Sequence, residues 1–190
     1  MNVGASEVER TMKWVRDRLG IPSVAVGGSA ITRWYPVSTK DVDLLIMVGE
    51  WKPLDKALQH RPEATPLEPY SGTIRSTRVV LGHRAIDVEF VSGAPFSGER
   101  SGDEFVEYVL SQRSEDSRGI HYARPEVVFY MRLMDPEDWR VNVPSIQRDV
   151  AAGVPWKTFD EVAGVARHFG TEDVVRERVK RTKELLGLFR

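Results

Sequence analysis

Apolar and polar positions alternate with two periods along this chain, and the change of period divides it. Val8, Met12, Val15 and Leu19 recur at helical spacing behind Ser6-Glu7-Val8-Glu9, which fits a capping box. A helix over about 7–19 is predicted, ended by Gly20 and Pro22. Residues 23–26 form a short apolar run that closes on Gly27-Gly28 and predicts a buried strand. Residues 41–48 are β-branched and apolar around two acids and predict a second strand, and 53–60 a short helix opened by proline. The Pro-, Glu- and Gly-rich 61–72 is expected to be a surface loop. T-I-R-S-T-R-V-V-L and A-I-D-V-E-F-V then flank Gly82-His83, the pattern of an antiparallel hairpin. Another loop is expected at 95–102, and Ser101-Gly102-Asp103-Glu104 should cap a helix running to about Gln112.

Beyond Arg124 the period is helical throughout. Helices are predicted over 125–134, 145–152, 158–169 and 171–189, with Thr158 and Glu161 forming a capping box and Glu172 and Asp173 suiting an N-terminal dipole. The expected fold class is therefore α/β (α+β), a mixed sheet flanked by helices. The expected division is a core over 1–122 and a C-terminal helical region over 123–190 packed on it.

Composition narrows the function classes. Hydrophobic residues at 41% and charged residues at 29% of 190 positions suit one globular unit with a sizeable core. A formal net charge of −1 argues against a protein that coats nucleic acid electrostatically. The absence of cysteine excludes disulfides and thiolate metal sites. The first ten residues carry no apolar segment, and no window approaches 18 apolar residues. A cytoplasmic protein without a membrane partner is expected. The four histidines show no metal-ligand spacing, so zinc is not expected either.

Candidate chemistry concentrates between Val24 and Ile46. Asp41 and Asp43 are one residue apart on a predicted strand, so their side chains leave one face. Adjacent carboxylates repel and call for a counter-charge, for which Mg²⁺ or Mn²⁺ with oxygen ligands is the usual provider. The neighbours Val42, Leu44, Leu45 and Ile46 are apolar, an unusual setting for idle acids. Asp87 and Glu89 form a second acidic pair on one strand face, a pattern that ordinary polar-out alternation also produces. Gly27-Gly28-Ser29 follows a strand and opens a short helical run, where backbone N–H groups and a serine hydroxyl can meet an anion. Lys40 is a further candidate phosphate contact, as is one of Arg75 and Arg78, whose odd spacing points them to opposite faces. Arg176, Lys180 and Lys183 form a basic stripe, readable as an RNA contact or as a solvated helix with pairs such as Glu177–Arg181.

Taken together, the glycine turn, twelve intervening residues, Asp41-Val42-Asp43 and the later Ile86-Asp87-Val88 resemble the DNA-polymerase-β-like nucleotidyltransferase superfamily. The likeness covers about 23–91 at motif level. Within it, the chain looks most like small stand-alone prokaryotic members related to AbiEii abortive-infection toxins. In that group, helices after the core carry an Arg/Lys-Leu pair and a basic-Asp pair, matched here by Arg132-Leu133 and Arg148-Asp149, with Arg where Lys is more usual.

The resemblance implies transfer of an NMP from an NTP to a hydroxyl or phosphate acceptor, with pyrophosphate released. It implies Asp41, Asp43 and Asp87 as catalytic metal ligands, with Glu89 as the substitute for Asp87. It also implies Gly28 and Ser29 around the β/γ-phosphates, with Gly27 in the same turn; Lys40, read from its position alone, either meets a phosphate or is simply exposed. The acceptor and oligomeric state are unassigned, RNA being one candidate acceptor. The competing reading keeps the fold without the chemistry, as a binding or regulatory module such as a toxin–antitoxin component. A glycosyltransferase using D-V-D ranks below both, because it calls for more nucleotide-binding chain before that motif.

Overall fold

The computed structural model describes residues 2–46, 51–71, 74–92, 102–135 and 138–187. Helix α1 (Ala5–Trp14) begins earlier than the capping box suggested: Gly4 is its cap, and Glu7 Oε2 accepts from the Gly4 N–H at 3.2 Å. It continues as a wider π-helical turn, Val15–Leu19, to Gly20, whose φ of 67° ends the helix. Strand β1 (Ser23–Ala25) feeds the short helix α2 (Gly27–Ile31), and β2 (Val42–Ile46) follows. Helix α3 (Trp51–Gln59) precedes β3 (Glu68–Ser71), β4 (Ile74–Leu81) and β5 (Arg84–Val91).

Then come α4 (Gly102–Gln112), the two-residue strands β6 (Ser114–Glu115) and β7 (His121–Tyr122), and α5 (Pro125–Leu133) with proline in its first turn. A 3₁₀ turn (Trp139–Asn142) leads into α6 (Val143–Ala151), α7 (Lys157–His168) and α8 (Glu172–Leu185).

Seven strands form one mixed sheet in the order β3-β4-β5-β2-β1-β7-β6. The predicted hairpin is β4–β5. β2 runs parallel to β5 and antiparallel to β1, while β7 runs parallel to β1. Part of the expected 61–72 loop is strand: Glu68 and Pro69 pair with Ser76 and Arg75 as the sheet edge, where a proline costs no ladder bond. The expected loop over 95–102 lies outside the described residues apart from Gly102, which opens α4. Thr158 does not cap α7. It is buried inside the helix, behind Trp156.

Alternation sorts the sheet's side chains into two cores. Val42, Leu44 and Ile46 join Val8, Met12, Val15 and Leu54 under α1 and α3. On the other face, Leu45, Val24 and Val91 join residues of α4, α5, α7 and α8. Among the described residues, no helix is long and apolar enough to cross a membrane.

Candidate metal and phosphate site

Asp43 lies between Val42 and Leu44, so its side chain leaves β2 on the Leu45 face, toward α2 and α5. The parallel ladder sets Asp43 beside Glu89 of β5. Asp41 sits just before β2, and carboxylate oxygens of Asp41, Asp43 and Glu89 all lie within 4.8 Å of one another. Burial, with Asp41 and Glu89 adding to it, pushes the Asp43 carboxyl up to about 8. Burial, then Asp41 and Asp87, pushes Glu89 up to about 7. Hard oxygen donors converging without enough local positive charge fit a divalent cation of the Mg²⁺ or Mn²⁺ type.

Asp87, the third of the expected metal ligands, lies apart from this cluster. Asp87 stands opposite Arg78 across the hairpin and accepts from its Nε at 2.7 Å and its Nη2 at 3.2 Å, an exposed pair. Asp87 contributes field to Glu89 without joining the convergent oxygens. Arg75 lies on the opposite face as expected, its guanidinium 5.7 Å from the Trp51 ring centroid.

The glycine turn closes tightly over these acids. Gly27 has φ 54°, and a Cβ there would meet Asp43 Oδ2 at 2.3 Å. A Cβ on Gly28 would meet Thr39 Oγ1 at 2.7 Å. Ser29 is fully buried. Its Oγ accepts from the Asp43 N–H at 3.0 Å and donates to the Asp41 carbonyl at 3.3 Å. In this conformation its single proton is committed to the strand, so the hydroxyl clamps the two acids. Thr39 Oγ1 donates to Asp41 Oδ1 at 3.3 Å. Lys40 is exposed and makes no hydrogen bond or ion pair with another described residue.

Opposite the acids stands a basic group that sequence reading left outside the site. Asp149 of α6 is completely buried and accepts from Arg132 Nη1 of α5 and, at 3.4 Å, from Arg148 Nε and Nη2. The Arg132 charge stabilises the Asp43 carboxylate. Arg148 Nη2 lies 3.9 Å from where a Gly28 Cβ would stand. One buried carboxylate thus holds two guanidiniums beside the glycine turn, the arrangement that gripping an anion requires. The signal was present as two basic motifs, but their distance in sequence from the glycines hid the contact.

The C-terminal basic stripe is partly engaged elsewhere: Arg176 pairs with Asp173 at 3.1 Å, and Lys183 lies 5.9 Å from the Phe159 ring centroid. Glu177 and Arg181 form the expected exposed pair.

No family model and no curated protein sequence matches this chain. Among solved structures, it is similar to ANT(2″)-Ia in complex with adenylyl-2″-tobramycin, at 13% identity and a TM-score of 0.46, over 95% of this chain and 97% of that one. It is also similar to JHP933 from Helicobacter pylori, at 11% identity and a TM-score of 0.42, over 96% and 90% of the two chains. Likeness this distant assigns no chemistry, which rests on the site itself.

Proposed function

We propose that this chain is a nucleotidyltransferase that moves an NMP from an NTP to a hydroxyl or phosphate acceptor and releases pyrophosphate. The observation that supports the reading most is the opposition of charge across the Gly27-Gly28 turn. Three carboxylates converge on one side, and two arginines anchored by a buried aspartate stand on the other. Asp41, Asp43 and Glu89 would hold the divalent cation, which when bound polarises phosphoryl oxygens and neutralises developing charge. Arg148 and the backbone of the glycine turn would take the triphosphate, with Lys40 free to reach it from the exposed loop. Arg132, locked on Asp149, would keep positive charge fixed near the transferred group without having to reorganise.

The test is incubation of the protein with Mg²⁺ and each α-labelled NTP, with total RNA or lysate proteins as acceptors. Label transfer that disappears in Asp41→Ala and Asp43→Ala supports the proposal. Absence of transfer, together with absence of metal-dependent NTP binding in calorimetry, sinks it.

A further inference from the structure

The opposite face of the sheet carries a second basic feature. Helix α1 and the β6–β7 loop enclose a half-open cleft of about 450 Å³ lined by Ser6, Glu9, Arg10, Lys13, Arg16, Arg118 and Ile120. Ser6, Glu9, Arg10 and Lys13 share one face of α1, at helical spacings of three and four, and Arg16 follows in the π-helical turn. The buried side of α1 packs on the Val42 and Leu44 face of the sheet, whereas Asp43 and Glu89 leave the other face. The cleft is therefore separate from the carboxylate cluster.

Its far wall is rigidly built. Asp116, almost fully buried, accepts the Arg118 N–H at 2.8 Å and the Ile120 N–H at 3.0 Å, and also binds the Arg118 guanidinium. Glu9 takes the same guanidinium from across the cleft. Arg16 Nη1 donates to the Arg118 carbonyl at 2.8 Å and ties the end of α1 to the loop. Next to this wall, the Tyr122 hydroxyl is buried with no hydrogen-bond partner. Its electrostatic neighbours are Glu9, Asp116, Arg33 and Arg118, and the Arg33 guanidinium lies 5.8 Å from its ring centroid.

Charge in the cleft is not balanced. Glu9 is neutralised by Arg118, and Arg16 has Asp17, but Arg10 and Lys13 make no ion pair with another described residue. They are exposed, one helical turn apart, about 4.5 Å along the axis at the α-helical rise. Some surface cations of this protein pair with acids, as Arg84 does with Glu7 and Arg140 with Asp138, and others, Lys40 among them, do not; what sets Arg10 and Lys13 apart is that they line a cleft together. A cleft within the size range of small-ligand pockets, with two unpaired cations opposite an Arg118 guanidinium already shared by Glu9 and Asp116, suits an anion with more than one phosphate group.

We infer that the α1/β6–β7 cleft is a second, non-catalytic site for a small polyphosphate anion, such as pyrophosphate or a nucleoside di- or triphosphate. Arg10 and Lys13 grip adjacent phosphate groups and Arg118 closes the far side. The inference stands whether or not the transferase reading does, because it uses none of that site's residues.

The experiment titrates the intact chain with pyrophosphate in EDTA, so that no divalent cation recruits phosphate to the acidic cluster, and follows amide shifts by NMR. Expected are saturable shifts confined to 6–16 and 116–122, with a dissociation constant below about 1 mM. Arg10→Ala with Lys13→Ala should weaken binding by about tenfold or more, since each removes a charge-assisted bond, and leave the melting temperature unchanged. Shifts centred on 27–29 and Arg148 would overturn the inference, as would unaltered affinity in the double variant. Parallel titrations with a nucleoside triphosphate and a short single-stranded RNA separate the sources. Binding of the RNA alone would reassign the cleft to a nucleic-acid backbone and overturn the small-anion inference.

Discussion

Asp43 and Asp116 are both shielded carboxylates near the ends of short strands, yet their surroundings drive them in opposite directions. Burial alone would raise both. At Asp116 it is outweighed by the Ile120 and Arg118 N–H groups and the Arg118 guanidinium, and its pKa falls below the usual carboxylate range. At Asp43 burial leads, the Asp41 and Glu89 carboxylates crowd in, and the Arg132 charge and the Ser29 N–H compensate only in part. One region spends donors to finish a charge, and the other leaves it unfinished. Structural acids are satisfied where they stand. A site that must take up a cation is not.

That contrast can be broken by substitution. The largest effect should fall on the unfinished region. Asp43→Asn is expected to lower transfer activity by roughly a thousandfold, comparable to removing one strong electrostatic contact at the reacting group. Glu89→Gln should cost about a hundredfold and Asp87→Asn no more than about threefold, by the same measure. Initial rates for the three variants at saturating Mg²⁺ check this, and an Asp87 loss equal to that of Glu89 would restore the trio expected from sequence.

Next in size is Asp149→Ala, which leaves the Arg132 guanidinium buried without its partner and should cost about 3 kcal/mol of stability. Urea unfolding measures it, and a loss well under 1 kcal/mol would mean that Arg132 finds another partner or water.

A smaller effect is expected with pH. The raised acids make the metal-free native state hold more protons than the unfolded chain between about pH 4 and pH 8. Stability should therefore fall as pH rises through that window, by on the order of 2 kcal/mol after solvent screening of these partly exposed groups. Added Mg²⁺ should remove most of the fall, and Asp43→Asn should flatten it. Thermal melts at several pH values in EDTA would reveal a flat profile if the acids do not crowd one another.

The smallest effect belongs to the finished region. Asp116→Asn should cost about 1 kcal/mol through weakened bonds to the 116–120 loop. The stability that Asp116 contributes is present above the unfolded carboxylate value and is lost as pH falls through its lowered one, the reverse slope to the acidic cluster.

Much of the architecture was readable because it is written locally. The apolar runs at β1 and β2, the alternation at β4 and β5, the hairpin about Gly82 and the helices from 125 onward all follow from spacing and turn residues. The strands that escaped notice, β3, β6 and β7, are two to four residues long and exist because a neighbour offers them a ladder. So short a run carries no period of its own.

The candidate site divides in the same way. Gly27, Gly28, Asp41 and Asp43 lie within one short segment, and their chemistry is visible because steric need and strand alternation act between near neighbours. Alternation also placed Asp87 and Glu89 on one face but had no means of choosing between them. That choice belongs to the parallel register that sets Glu89 beside Asp43, and to the hairpin that gives Asp87 to Arg78. Likewise, Arg132, Arg148 and Asp149 were legible as basic motifs, whereas the cations of α1 carried no signal of their own. Their opposition to Arg118, and to the glycine turn, depends on contacts across 100 and 120 residues of chain, which packing sets and no local pattern encodes.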